Sequence, residues 1–162
     1  ASELVAGGAQ RYDTVYNALK AAQELAIDTA PKEVLIYIHD GARPCISREI
    51  IKNCEEAALQ YGACTAAVPV KDTIKVVSPE GFAVDTPDRN TLWQIQTPQV
   101  FRSDIISSAY AKMYADTDRG TITDDAMLVE RYTDVPVKMA MGAYTNIKIT
   151  TPEDMGIAAQ YL

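Results

Sequence analysis

Val34-Leu35-Ile36-Tyr37-Ile38-His39-Asp40-Gly41-Ala42-Arg43-Pro44 is the stretch on which the reading of this chain turns. Its first five residues are aliphatic or aromatic and rich in β-branching, the composition of a buried parallel strand. An acid, a flexible glycine and a permanently charged guanidinium follow where that strand gives way to a loop, and Pro44 stiffens the exit. In an open α/β sheet this C-terminal edge is where ligands bind. Asp40 can hold a metal–phosphate assembly or orient a hydroxyl, and Arg43 can grip a phosphate through two parallel hydrogen bonds. Taken alone, the same residues would equally make an Asp–Arg pair that ties down a surface loop.

Working outward, strand-like and helix-like segments alternate. Val15, Leu19, Ala22 and Ala26 form one helical stripe, with Asp13 or Thr14 as candidate caps. After the 34–38 strand, Ser47 opens a second helix striped by Ile50, Ile51, Cys54, Ala57, Ala58 and Tyr61, and Gly62 is its left-handed stop. Thr65-Ala66-Ala67-Val68 reads as the next buried strand. Helices are expected over 103–114 and 123–132, and strands over 137–141 and 147–149. Thr151-Pro152-Glu153-Asp154 starts a last helix that runs to the C-terminus, with Thr as cap, Pro at the first position and acids over the positive end. This order predicts a three-layer α/β/α sandwich. No repeat, low-complexity tract or linker divides it, so residues 1–162 are expected to form a single domain.

Composition narrows the function. The 162 residues are 48% hydrophobic and 23% charged, as in an ordinary soluble globular protein. A net charge of −7 argues against a general nucleic-acid binder, yet a few Arg and Lys residues can still make one local anion site. No apolar run approaches a membrane span and no signal-peptide pattern is present. Cys45, Cys54 and Cys64 are odd in number and lack metal-type spacing, which fits buried free thiols in a reducing cytoplasm.

One stretch breaks the alternation. Residues 71–77 and 82–86 are extended segments around Ser78-Pro79-Glu80-Gly81, a good turn sequence, and predict a β-hairpin inserted over 71–86. Ile74, Val76, Phe82 and Val84 give it apolar content that a lone two-stranded arm cannot bury. Either a partner subunit covers it, or it folds back on its own domain.

Four further segments combine polar residues with sharp backbone punctuation. Gly7-Gly8-Ala9-Gln10-Arg11 precedes the first helix; Pro69-Val70-Lys71-Asp72-Thr73 leads into the hairpin. Asp88-Arg89-Asn90 leaves it, followed by Leu92-Trp93 and Gln96-Thr97-Pro98-Gln99-Val100-Phe101. Finally, Asn146-Ile147-Lys148-Ile149-Thr150-Thr151 puts a lysine inside a strand pattern, where its amine either meets a charge or sits at a solvated edge.

In this order and spacing, the segments GGAQRYDTV, IHDGARP, PVKDTIK, DRNTLW, QTPQVF, ITDDA and NIKITTPED resemble the 2-C-methyl-D-erythritol 4-phosphate cytidylyltransferase family. The resemblance runs from Val5 to Leu162. It implies a Rossmann-like nucleotidyltransferase fold and transfer of CMP from CTP to the 4-phosphate of methylerythritol, with Mg²⁺ carried mainly on the CTP phosphates. It casts Arg89 and Lys148 as the catalytic pair that positions the sugar phosphate. Asp40, Arg43, Thr73 and Thr97 become substrate contacts, while Gly8 and Thr14 lie beside the cytosine. The hairpin becomes a homodimer arm that carries Thr73 and Arg89 into the neighbouring subunit's site. No metal-ligating side chains, nucleic-acid partner or membrane are implied.

Two departures are modest: Ala9 stands where some members carry an acid, and Thr14 replaces the commoner Ser. A larger one is that the family's glycine-rich phosphate loop has no counterpart in these residues, so the 162-residue chain is expected to be a shortened, weakly active or inactive form. Two other readings stand beside the main one. Ribitol-5-phosphate cytidylyltransferase shares the fold, the chemistry and several motifs, and a dimeric substrate-binding body without turnover would use the same residues.

Overall fold

The computed structural model describes residues 3–25 and 28–162. In chain order the elements are helix α1 (Arg11–Leu25), strand β1 (Leu35–Ile38), helix α2 (Arg48–Tyr61), strand β2 (Ala63–Pro69), the short strands β3 (Val76–Val77) and β4 (Ala83–Asp85), strand β5 (Trp93–Arg102), helices α3 (Ser103–Ala115) and α4 (Asp125–Tyr132), strand β6 (Lys138–Met141) and helix α5 (Pro152–Ala158).

Alternation along the strands sets the layers. Cys64, Ala66, Val100 and Ala140 pack with Ile50, Cys54 and Ala58 of α2 on one face of the sheet. Ala63 and Phe101, one residue out of phase, pack on the other face with Leu19 of α1, Ile106 and Tyr110 of α3, and Leu128 of α4. Helices therefore cover both faces, and the α/β/α Rossmann-like architecture is the one observed.

The sheet order is β1-β5-β2-β6. β2 and β6 are parallel, whereas β5 runs antiparallel to both β1 and β2. The chain leaves β2 through the hairpin and returns without a crossover helix, which makes β5 the reversed strand. This corrects the expectation for the 34–38 segment. Among the described residues β1 pairs only with β5, antiparallel, and Tyr37 is 40% exposed.

Local chemistry explains the element ends. Ser47 Oγ accepts the Ile50 N–H at 3.3 Å, and Gly62 closes α2 at φ 85°. The buried stripe of α2 is narrower than expected, since Ile51 and Tyr61 are exposed. α1 starts earlier than the caps suggested. Asp13 accepts the Gln10 N–H at 3.0 Å and Thr14 accepts the Gly8 N–H at 2.9 Å, both from within the first turn. Ala26 lies outside the described residues. α4 begins two residues late, with Asp124 accepting the Met127 N–H at 2.8 Å. In α5, Asp154 accepts the Thr151 N–H at 2.9 Å, and the helix stops at Ala158 rather than at the C-terminus. All three cysteines are free and buried.

Two segments differ from expectation in kind. Residues 147–149 form no strand; the Ile149 N–H instead donates to Ala42 O at 2.8 Å, joining two loops. Residues 93–102, read only as a polar segment, are the longest strand. The hairpin forms, with Gly81 at φ 87° in its turn, but pairs over a shorter length than 71–86. Phe82 and Val84 are 73% and 63% exposed, so the arm does not bury its apolar residues against its own chain. No described helix is long and apolar enough to cross a membrane.

Candidate functional site

β1, β2 and β6 end on one side of the sheet, and the loops leaving β1 and β6 meet there. Asp40 and Arg43 come from the first loop, Lys148 from the second, and Thr97 from β5 between them. Asp40 Oδ2 lies 3.0 Å from Lys148 Nζ and 3.5 Å from Arg43 Nε. Arg43 Nη1 donates to the backbone oxygen of Asn146 at 2.8 Å. Thr97 Oγ1 accepts the Asp40 N–H at 3.0 Å and is 2.9 Å from His39 Nδ1, while His39 Nε2 is 3.0 Å from Arg43 O. A carbonyl only accepts, so a neutral ring satisfies both contacts by donating from Nε2 and accepting the Thr97 hydroxyl at Nδ1.

Asp40, Arg43, Thr97 and Lys148 line a cleft of about 210 Å³ whose walls also include Arg11, Thr123 and Asp124. A second cleft, about 330 Å³, shares Arg43, Gln96 and Lys148 with it and adds Tyr144 and Asn146. Burial pushes the Asp40 carboxyl up, but the hydrogen bond and charge of Lys148, with the charges of Arg11 and Arg43, outweigh it and hold the group below its usual range. Arg11 is itself anchored. Its Nη2 lies 2.7 Å from Asp125 Oδ2, on a carboxylate that is 1% exposed and also receives the Tyr110 hydroxyl at 2.6 Å. Burial lowers the Arg11 pKa, yet Asp125 more than offsets it and leaves the guanidinium firmly charged. Burial first, then the Asp125 charge, pushes the Tyr110 phenol far up. Within an acidic chain the cleft thus gathers three cations, and it can receive an anion.

The expected site residues divide into three groups. Asp40, Arg43, Thr97 and Lys148 come together, and the reading in which the lysine amine meets a charge is the one observed, in a loop rather than a strand. Gly8 and Thr14 are bonded to each other at the start of α1. Thr14 borders a separate, mostly apolar groove of about 300 Å³ with Val15, Ile36 and His39. Thr73 and Arg89 are exposed at the arm, where Arg89 Nη1 donates to Lys71 O at 3.0 Å. Neither lines the cleft that holds Lys148.

Arg11, Asn146 and Gln99 had no individual role in the sequence reading. Gln99 Oε1 accepts the N–H groups of Asp125 and Ala126 at 3.0 Å each, and its Nε2 donates to Asp124 at 2.9 Å, fixing the start of α4 at the cleft wall. All three belong to segments that carried the resemblance, Arg11 to GGAQRYDTV, Gln99 to QTPQVF and Asn146 to NIKITTPED, but no local signal sets them apart from their neighbours. Among the described residues, no group of three or more His, Cys, Asp or Glu side chains is placed to hold a metal ion.

Comparison with known proteins gives a consistent result. The family model for 2-C-methyl-D-erythritol 4-phosphate cytidylyltransferase matches residues 1–162. A relative of that name from Lachnospira eligens is 49% identical over 161 residues, covering 99% of this chain and 67% of the relative. One from Alkaliphilus oremlandii is 46% identical over 162 residues, covering 99% and 64%. The chain thus spans roughly two thirds of these relatives' length or slightly less. Crystal structures of this enzyme from Thermus thermophilus and of 4-diphosphocytidyl-2C-methyl-D-erythritol synthase from Anaerococcus prevotii superpose with TM-scores of 0.79 and 0.81, at 32% and 35% identity. Each match covers 96% of this chain, and 70% and 67% of the respective structure.

Proposed function

The chain belongs to the 2-C-methyl-D-erythritol 4-phosphate cytidylyltransferase family, and from that premise we propose that the protein carrying it transfers CMP from CTP to the 4-phosphate of methylerythritol. A phosphate oxygen of the alcohol phosphate attacks the α-phosphorus of CTP in line, a new P–O bond forms, and the bond to pyrophosphate breaks. Catalysis is then mainly the positioning of two anions and the neutralising of growing negative charge. The observation that supports this most is the meeting of Lys148, Arg43 and Asp40 at the strand ends. Lys148 offers a compact ammonium to the sugar phosphate, and Asp40 and Thr97 offer acceptors to its hydroxyls. Gly8 and Thr14 stand at the cytosine end.

Arg89 and Thr73 complete the site from the arm of a second copy. Their exposure on a hairpin with uncovered Phe82 and Val84 favours a homodimer over a site closed within one chain. The residues present do not fit a resident metal, because the Asp40 carboxylate is already engaged by Lys148 and Arg43. Mg²⁺ is therefore assigned to the nucleotide substrate, and no step here depends on it. The cytoplasm is the proposed compartment, in keeping with three buried free thiols.

The test is pyrophosphate release by the complete protein, with CTP and either methylerythritol phosphate or ribitol 5-phosphate. Preference for methylerythritol phosphate is the expected result. Preference for ribitol phosphate would replace the substrate, and turnover with neither would favour a binding body.

A further inference from the structure

We propose that Asn146 is a positioning residue: a buried peg that fixes the Arg43–Asp40–Lys148 cluster against β5 and so sets how well the alcohol phosphate is held. The inference rests on the substrate reading above and adds a residue to it.

Asn146 is fully enclosed, at 0% exposure. Its Nδ2 donates to Thr97 O at 2.9 Å and to Gln96 Oε1 at 3.3 Å. Both partners are acceptors, so turning the amide over would set its oxygen against two oxygens; the orientation is fixed by chemistry. The Asn146 N–H donates to Ala143 O at 3.0 Å, and its carbonyl receives Arg43 Nη1 at 2.8 Å. One residue thus ties together the backbone of β5 at Thr97, the guanidinium of Arg43, and the loop that carries Lys148 two positions on.

The remaining atom, Oδ1, is buried without a hydrogen-bond partner, as is Arg43 Nε beside it in the network. What the asparagine supplies is two directed donors at a fixed place, which no apolar residue of that size offers.

The peg is itself supported. Gln96 Nε2 donates to Ala143 O at 2.8 Å, holding Gln96 Oε1 under Asn146. A Cβ at Gly142 would lie 2.4 Å from that Oε1, so the bare glycine is what admits Gln96. Gly142 lines neither cleft. It offers a way to disturb the peg without touching the site.

The experiment compares Asn146→Ala, Asn146→Asp and Gly142→Ala with the wild type, all in the complete protein. Asp keeps the size of Asn but turns its donor edge into an acceptor. Each variant should lower kcat/KM for methylerythritol phosphate by about tenfold to a hundredfold, as sub-ångström to ångström misplacement does. KM for CTP should stay within about twofold. The ¹⁵N-detected Nε–H resonance of Arg43 gives a readout besides activity. It should exchange slowly with solvent in the wild type and rapidly in the variants, measured well below their melting midpoints. Variants that melt earlier but keep both the phosphate KM and the slow Arg43 exchange would overturn the proposal, leaving Asn146 a stability residue only. If the wild type turns over neither alcohol phosphate, the substrate reading fails, and Arg43 exchange still decides whether the peg exists.

Discussion

Asp40 illustrates how one side chain serves stability and site geometry together. Its side chain is 19% exposed and faces Lys148 at 46% and Arg43 at 12%. Removing its charge would leave a largely buried guanidinium without its counter-ion, so Asp40→Asn should cost about 1–3 kcal/mol at neutral pH. The sign of the pH dependence follows from the lowered carboxyl. Its contribution is present above the carboxylate range of the unfolded chain and is lost as pH falls through the lower folded value. Urea unfolding of wild type and Asp40→Asn should therefore differ by a constant amount near neutrality and converge in acid. Lys148→Ala and Arg89→Ala should each cut kcat/KM for the alcohol phosphate by roughly 10²–10³, as loss of one charge-stabilising group does. Their KM for CTP should move far less. A larger effect on CTP than on the alcohol phosphate would contradict the assigned roles. At this scale Asp40 and Arg43 were legible from charge type and loop position, Arg89 and Lys148 took their roles from the family resemblance, and Arg11 was not singled out although it stands on the cleft wall. Asn146 and Gln99 were not, since their importance lies in being buried with directed partners, which residue type alone does not reveal.

Helix α2 and strand β5 mark the two extremes of what local sequence encodes. Ser47 and Gly62 bracket α2 as read, each for a local reason that survives in any context. Ser47→Ala should cost about 1 kcal/mol through the lost cap. Gly62→Ala should cost more, about 1–3 kcal/mol, because it forces a side chain into a left-handed backbone. The new Cβ would also sit 2.7 Å from Ile105 Cδ1. Thermal unfolding of the two variants should rank them in that order; equal losses would argue against the packing conflict. β5 escaped notice because its burial is achieved by hydrogen bonding rather than by apolar alternation. Gln96, Thr97 and Gln99 are all buried, and each is satisfied by a neighbouring loop or helix. Pro98 also argues against a central strand when only sequence is seen, because it has no N–H for the ladder. Residues 147–149 err in the opposite sense. Ile147 and Ile149 suit a strand, but the segment bonds to a loop, and strand preference depends on the partners at hand.

The layered arrangement of the molecule was readable from the alternation of periods, because it depends on the order of elements and not on their pairing. The direction of β5 was not, since it depends on a connection that replaces a crossover helix with an arm. That arm carries the assembly prediction. The complete protein should scatter light as a dimer, and Phe82→Glu, which places a charge on a 73% exposed apolar position, should shift it toward monomer while leaving far-ultraviolet circular dichroism intact. Mixing Arg89→Ala with Lys148→Ala proteins should restore part of the activity, since one site of each heterodimer keeps both side chains. Verified heterodimers that stay inactive would exclude a site shared across the arm. The register of the sheet carries a further consequence. Pro69 and Trp93 are direct cross-strand partners, so the arm leaves and re-enters the body at a single point. Doubling the length of such a loop costs only about 0.6 kcal/mol in closure entropy. The arm is thus a graft on a closed stem: its tip between Val77 and Ala83 can be lengthened or rewritten at small cost to the body, whereas Thr73 and Arg89, near the stem, travel with the site they serve.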